Sequence, residues 1–138
     1  MRLENKVALI TGAGSVGPGW GNGKSTAVAF AREGASIFAV DLVPEAAAET
    51  QAIIASEGGV CETHHCDVTD AAQVKATIDA CVVQFGRIDI LVNNVGGSVP
   101  GGPVELSLDE WQGQLDFNLT SAFLACKHAL PHMERQGG

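Results

Sequence analysis

The chain has 138 residues, 46% of them hydrophobic and 17% charged, and a formal net charge of −8. That length suits one domain around a single core, and the acidic balance without a basic stripe excludes a nucleic-acid-binding surface. No run is long enough to span a bilayer, and Met1 to Lys6 leads into the first apolar run with no signal peptide, so the sequence reads as a cytoplasmic protein without membrane contact.

Lys6 to Thr11 reads as a first strand, apolar from Val7 to Ile10 in the manner of a parallel strand buried on both faces. A glycine-rich stretch from Thr11 to Ser25 follows it, and a helical pattern with Ala27, Val28, Phe30 and Ala31 then runs to Glu33. Ser36 to Asp41 is a second strand that ends on a carboxylate. Pro44 opens an Ala-rich helix through Ser56, which Gly58-Gly59 stops. Val60 to Cys66 is a third strand. Asp70 is placed to cap a helix reaching about Phe85, with Val74, Ile78, Cys81 and Val82 on its apolar face. Ile88 to Asn94 is a fourth strand, and a loop rich in Gly and Pro runs from Val95 to Pro103. Ser107 or Asp109 starts a long helix whose apolar stripe is Trp111, Leu115, Leu119, Ala122, Cys126 and Leu130. Pro131 should weaken or kink its last turn.

Strand and helix alternate throughout. This predicts an α/β fold, a doubly wound parallel sheet of the Rossmann type, with right-handed crossovers giving strand order 3-2-1-4. A ligand then lies over the carboxyl ends of the strands, beside strands one and four.

The glycine stretch sits between strand and helix, where a backbone without Cβ atoms lets a diphosphate approach the helix N-terminus. Asp41 ends the second strand at the offset expected of an acid that accepts hydrogen bonds from an adenosine ribose. No Lys or Arg occurs between Arg32 and Lys75, so a 2′-phosphate would find no counter-charge there. The expected cofactor is therefore NAD rather than NADP. A rival reading comes from Pro18 to Ser25, which nearly spells a P-loop; Lys24 would reach terminal phosphates and Ser25 a magnesium ion, as in a nucleotidase. Lys24 is more simply a residue at the helix start that faces solvent or phosphate. Cys61, His64, His65 and Cys66 are metal-ligand types, but alternation along a strand sends Cys61 and His65 to one face and His64 and Cys66 to the other, so no metal site is assigned. His128 and His132, at i and i+4, lack a third ligand nearby in sequence. The four cysteines are read as free, buried thiols.

Several separated motifs resemble the short-chain dehydrogenases/reductases. Thr11-Gly12-Ala13 through Gly21-Asn22-Gly23 is similar to the family's TGxxxGxG turn. Asp67-Val68 resembles the pair that contacts adenine, Asn93-Asn94-Val95-Gly96 the NNAG motif, and Asn118 the active-site asparagine of the following helix. The resemblance implies that Gly12, Ser15, Gly21, Asn22 and Gly23 hold the pyrophosphate and that Asp41 binds the adenosine ribose. It further implies that Asp67 and Val68 bind adenine, Asn94 and Gly96 the nicotinamide-side ribose region, and that Asn118 is the catalytic residue present. The implied activity is hydride transfer between NAD and a small-molecule alcohol or ketone. The implied assembly is a homo-oligomer through the long C-terminal helix.

Two departures stand out. Val16 to Trp20 looks inserted between the family's Ser15 and Gly21 positions. The chain also contains no tyrosine, whereas the family uses Ser and Tyr-x-x-x-Lys after a fifth strand. The expectation is thus a single dinucleotide-binding domain over residues 1–138, incomplete at its C-terminus after the fourth βα unit. Alone it would be inactive. The alternative is a noncatalytic nucleotide-binding fragment or interaction module.

Overall fold

A computed structural model describes residues 1–138. The elements are β1 (Val7–Thr11), α1 (Asn22–Arg32), β2 (Ser36–Asp41), α2 (Pro44–Ser56), β3 (Cys61–His65), α3 (Ala71–Phe85), β4 (Ile90–Val92), α4 (Leu108–Leu115), a π-helical turn (Asp116–Thr120) and α5 (Ser121–Gln136). The sheet is parallel in the order β3-β2-β1-β4, as the alternation of elements predicts.

Period-two alternation along β1 and β2 divides the core. Ala8, Ile10, Ile37 and Ala39 pack on one face with Ala27 and Val28 of α1 and Ile54 of α2. Val7, Leu9, Phe38 and Val40 pack on the other with Val74, Ile78 and Cys81 of α3 and Leu124, Ala125 and Ala129 of α5. Asp70 caps α3 through a 2.9 Å bond from the Gln73 N–H, and Gly86 ends that helix at φ 79°. No helix is long and apolar enough to cross a membrane.

Two expectations need correction. β4 is shorter than Ile88 to Asn94, because side chains take over its ladder at both ends. Gln136 brackets Ile88, accepting from its N–H at 3.0 Å and donating to its carbonyl at 2.9 Å. At the other end, Thr11 Oγ1 accepts the Asn94 and Val95 N–H groups at 3.2 and 3.4 Å.

The long helix is also not one regular helix. Ser107 starts it with a capping box shared with Glu110, and a π-helical turn then interrupts it. An extra residue in that turn rotates the following face by about 100°. The stripe from Trp111 through Leu130 is therefore not the buried face. Ser121, Leu124, Ala125 and Ala129 are buried, while Trp111, Leu119, Phe123 and Leu130 are exposed and Cys126 is half-buried. α5 itself runs through Pro131 to Gln136. Pro131 lies on the exposed side, where water reaches the carbonyl it leaves without a donor.

Candidate functional site

The glycine turn joins β1 to α1 with backbone packed on backbone. Gly12 has φ +62°, and a Cβ on Gly23 would lie 1.8 Å from the Gly12 carbonyl oxygen. Only hydrogen fits between these two chains. Gly21 caps α1 without a side-chain bond, and no acid occupies the first helical turn. The first N–H groups of α1 therefore keep their donor capacity, at the positive end of the helix dipole.

The segment Val16 to Trp20 does not break this turn. Ser15 Oγ accepts the Gly21 N–H at 2.9 Å and closes the neck, so residues 16–20 stand out as an exposed excursion. Thr11 and Asn94 fix the other wall. Thr11 Oγ1 donates to the Val92 carbonyl at 3.3 Å, and Asn94 Nδ2 donates to the Gly12 carbonyl at 3.0 Å.

The acids are held just as firmly. Asp41 Oδ2 accepts the Gly14 N–H at 2.8 Å, and Oδ1 accepts the Val43 N–H at 2.9 Å. Each oxygen keeps a lone pair for a further donor. Asp67 accepts from the Thr69 hydroxyl at 2.6 Å and from the Thr69 N–H at 2.9 Å. The hydroxyl bond and then the backbone bond hold its carboxyl below the usual carboxylate range.

A cavity of about 550 Å³ opens over the carboxyl ends of the strands, within the size range of small-molecule sites. Gly12, Ser15, Gly21, Asn22, Gly23, Asp41, Asp67, Val68, Asn94 and Gly96 all line it. Sequence reasoning missed Gly14, Leu42, Val43 and Phe117 in the same wall. Gly14 could have been found through its spacing from Gly12; the others carry no motif. No Lys or Arg lines the cavity, while two carboxylates do.

Asn118 lies outside the lining, in the π-helical turn. Its Oδ1 accepts the Gly97 N–H at 2.9 Å, and its Nδ2 donates to the Gly97 and Gln114 carbonyls, each at 2.9 Å. The side chain pins the loop after β4 beside the cavity, and its neighbour Phe117 is the residue that lines the wall.

Lys24 departs from expectation. It faces neither solvent nor phosphate: its side chain is 2% exposed and pairs with Glu49 at 2.6 Å. The P-loop alternative thereby loses the lysine it depends on. Cys61 and Cys66 point into opposite halves of the core, as strand alternation requires. Burial pushes the Cys61 and Cys81 thiols up to about 12. His132 lies 3.8 Å from Asp79 in a surface pair.

The sequence matches the short chain dehydrogenase family over residues 6–138. The chain belongs to the short-chain dehydrogenases. It is 44% identical over 137 residues to D-threitol dehydrogenase of Mycolicibacterium smegmatis, covering 99% of this chain and 51% of that protein. It is 35% identical over 138 residues to 7alpha-hydroxysteroid dehydrogenase of Escherichia coli, covering 100% of this chain and 52% of that one. Among solved structures, a Burkholderia xenovorans protein assigned to the short-chain dehydrogenases/reductases superposes with TM-score 0.97 at 52% identity, over 99% of this chain and 54% of its own. This short-chain dehydrogenase chain thus spans about half the length of the relatives it matches. Members of the family generally use nicotinamide cofactors.

Proposed function

We propose that this chain is the NAD-binding part of a short-chain oxidoreductase that moves a hydride between NAD and a small-molecule alcohol or ketone. One observation carries the reading: every residue singled out for binding from sequence lines a single cavity at the head of β1 and β4. The residues there fit a dinucleotide. Gly12, Ser15, Gly21, Asn22 and Gly23 form a cradle too close-packed for a Cβ at Gly23, with helix N–H groups free for a diphosphate. Asp41 holds the adenosine ribose, Asp67 and Val68 the adenine, and Asn94 and Gly96 the ribose of the nicotinamide.

The preference for NAD over NADP rests on charge. A 2′-phosphate at Asp41 would meet a carboxylate and no cation among the lining residues. A bound nicotinamide supplies or accepts the hydride. Asn118 positions the Gly96–Gly97 loop at that end of the cavity through its amide. The oxygen of an alcohol or ketone needs a proton partner during hydride transfer. The family resemblance assigns that role to a tyrosine, and this stretch has none. The chain is therefore proposed to bind cofactor without turnover, with Ser and Tyr-x-x-x-Lys supplied by further sequence.

Trp111 of α4, Leu119 of the π-helical turn and Phe123 and Leu130 of α5 are large apolar side chains left exposed, which supports association with a second copy. Cysteines that are all unpaired suit a reducing, cytoplasmic compartment.

Calorimetric titration with NAD, beside a redox assay of this chain and of a longer one carrying Tyr-x-x-x-Lys, tests the reading. Binding by both with turnover only by the longer chain is expected. Turnover by the short chain alone would overturn the assignment of the missing proton partner.

A further inference from the structure

Lys24 is a buried charge that the proposed cofactor site does not use. Its ammonium pairs with Glu49 Oε1 at 2.6 Å, donates to the Gly19 carbonyl at 3.4 Å and lies 5.2 Å from the centroid of the Trp20 ring. Burying an ammonium is costly unless partners surround it. Two of those partners belong to the Val16–Trp20 excursion and the third to α2. The Gly19 carbonyl is also the only group between Val16 and Trp20 hydrogen-bonded within the chain. Val16, Pro18 and Trp20 all line the cavity. A wall of the site is thus tethered between its ends at one point, and that point is Lys24.

We propose that Lys24 is a positioning residue for the dinucleotide, latching the Val16–Trp20 excursion to α2 so that Trp20 walls the cavity beside the glycine turn. The inference rests on the dinucleotide reading above. Holding the excursion in place before binding removes an ordering cost from the binding step. Trp20 then presents a broad apolar face and one N–H donor to the ligand. Glu49, at the open end of the latch, anchors the ammonium to a helix outside the cradle.

The test uses the full chain carrying Trp111→Phe, which leaves Trp20 as the only tryptophan. NAD is titrated by calorimetry, and the Trp20 emission is recorded with and without NAD. Lys24→Met is expected to weaken NAD binding about tenfold and to shift the unliganded Trp20 emission to the red. Lys24→Arg, which keeps a cation opposite Glu49, should retain most of the affinity. Should Lys24→Met fail to fold, Glu49→Gln opens the same latch from its exposed side and should weaken binding in the same direction.

A second chain joins Ser15 directly to Gly21. In it, adding Lys24→Met should change NAD affinity no further. The inference is overturned if the latch variants bind NAD as the parent does with unshifted emission. It is equally overturned if Lys24→Met weakens binding by the same factor with the excursion removed. Failure of the parent to bind NAD would overturn the dinucleotide reading and the inference with it; binding by the parent with unaffected latch variants would overturn the inference alone.

Discussion

The carboxylate of Asp41 accepts the Gly14 N–H at 2.8 Å, so the acid that ends β2 also braces the glycine turn after β1. One side chain therefore shapes the cradle and, in the proposed reading, offers its remaining lone pairs to a ribose. Asp41→Ala removes both contributions. Calorimetry should find NAD affinity reduced about tenfold or more, equivalent to about 1.4 kcal/mol or more. The margin over NADP should shrink, because the repelling carboxylate is gone.

Gly23→Ala should be far worse than an ordinary Gly→Ala change. The new Cβ would lie 1.8 Å from the Gly12 carbonyl oxygen, and neither backbone can yield without parting α1 from the turn. A loss of about 3 kcal/mol or more in urea melts is expected, with NAD binding abolished. Gly113 provides the contrast, since a Cβ inside α4 meets nothing within 4 Å. Gly113→Ala should stabilise the chain by about 0.5–1 kcal/mol and leave NAD binding alone.

Asn118→Asp tests the amide that pins the loop after β4. One oxygen can still accept the Gly97 N–H, but the other replaces a donor that served the Gly97 and Gln114 carbonyls. Chemical denaturation near neutral pH should show a loss of about 1–2 kcal/mol. The loss should diminish below about pH 4, where the acid protonates and regains one donor.

Asp89 predicts how the fold responds to acid. Its side chain is 4% exposed; it accepts the Val7 N–H at 2.9 Å and bonds Arg87 at 2.8 and 2.5 Å. Burial pushes its carboxyl up, but the Arg87 and Val7 bonds with the charges of Arg87 and Lys6 outweigh that and hold it below the ordinary value. A depressed acid stabilises the fold fully above its ordinary pKa and loses that contribution as pH falls through the lowered one. Urea melts should find Asp89→Ala about 2 kcal/mol less stable near neutral pH. The gap should close below about pH 4 as the parent's own carboxyl protonates.

β1, β2 and β4 were legible as short apolar runs, whereas β3, Cys61-Glu62-Thr63-His64-His65, is largely polar and was legible only from its place between two helical stretches. β2 is found where the sequence places it, from Ser36 to Asp41. The cavity wall was legible through its glycines and through Asp41 and Asn94, which local motif spacing picks out. What stayed hidden depends on contacts remote in sequence. Ile88 leaves the ladder for Gln136, which lies 48 residues away. Lys24 is buried because Glu49 on another helix meets it. The last helix misled through its periodicity: the π-helical turn at Asp116–Thr120 changes the phase, so a stripe at regular spacing crosses from one face to another.

Thermal unfolding of this chain against increasing NAD, without added metal, addresses the central claim most directly. A ligand that binds only the folded state raises the midpoint progressively with its concentration. The account predicts such a rise with NAD and a distinctly smaller one with NADP. An unmoved midpoint at saturating NAD, from a chain whose far-ultraviolet circular dichroism shows the α/β fold intact, would contradict it.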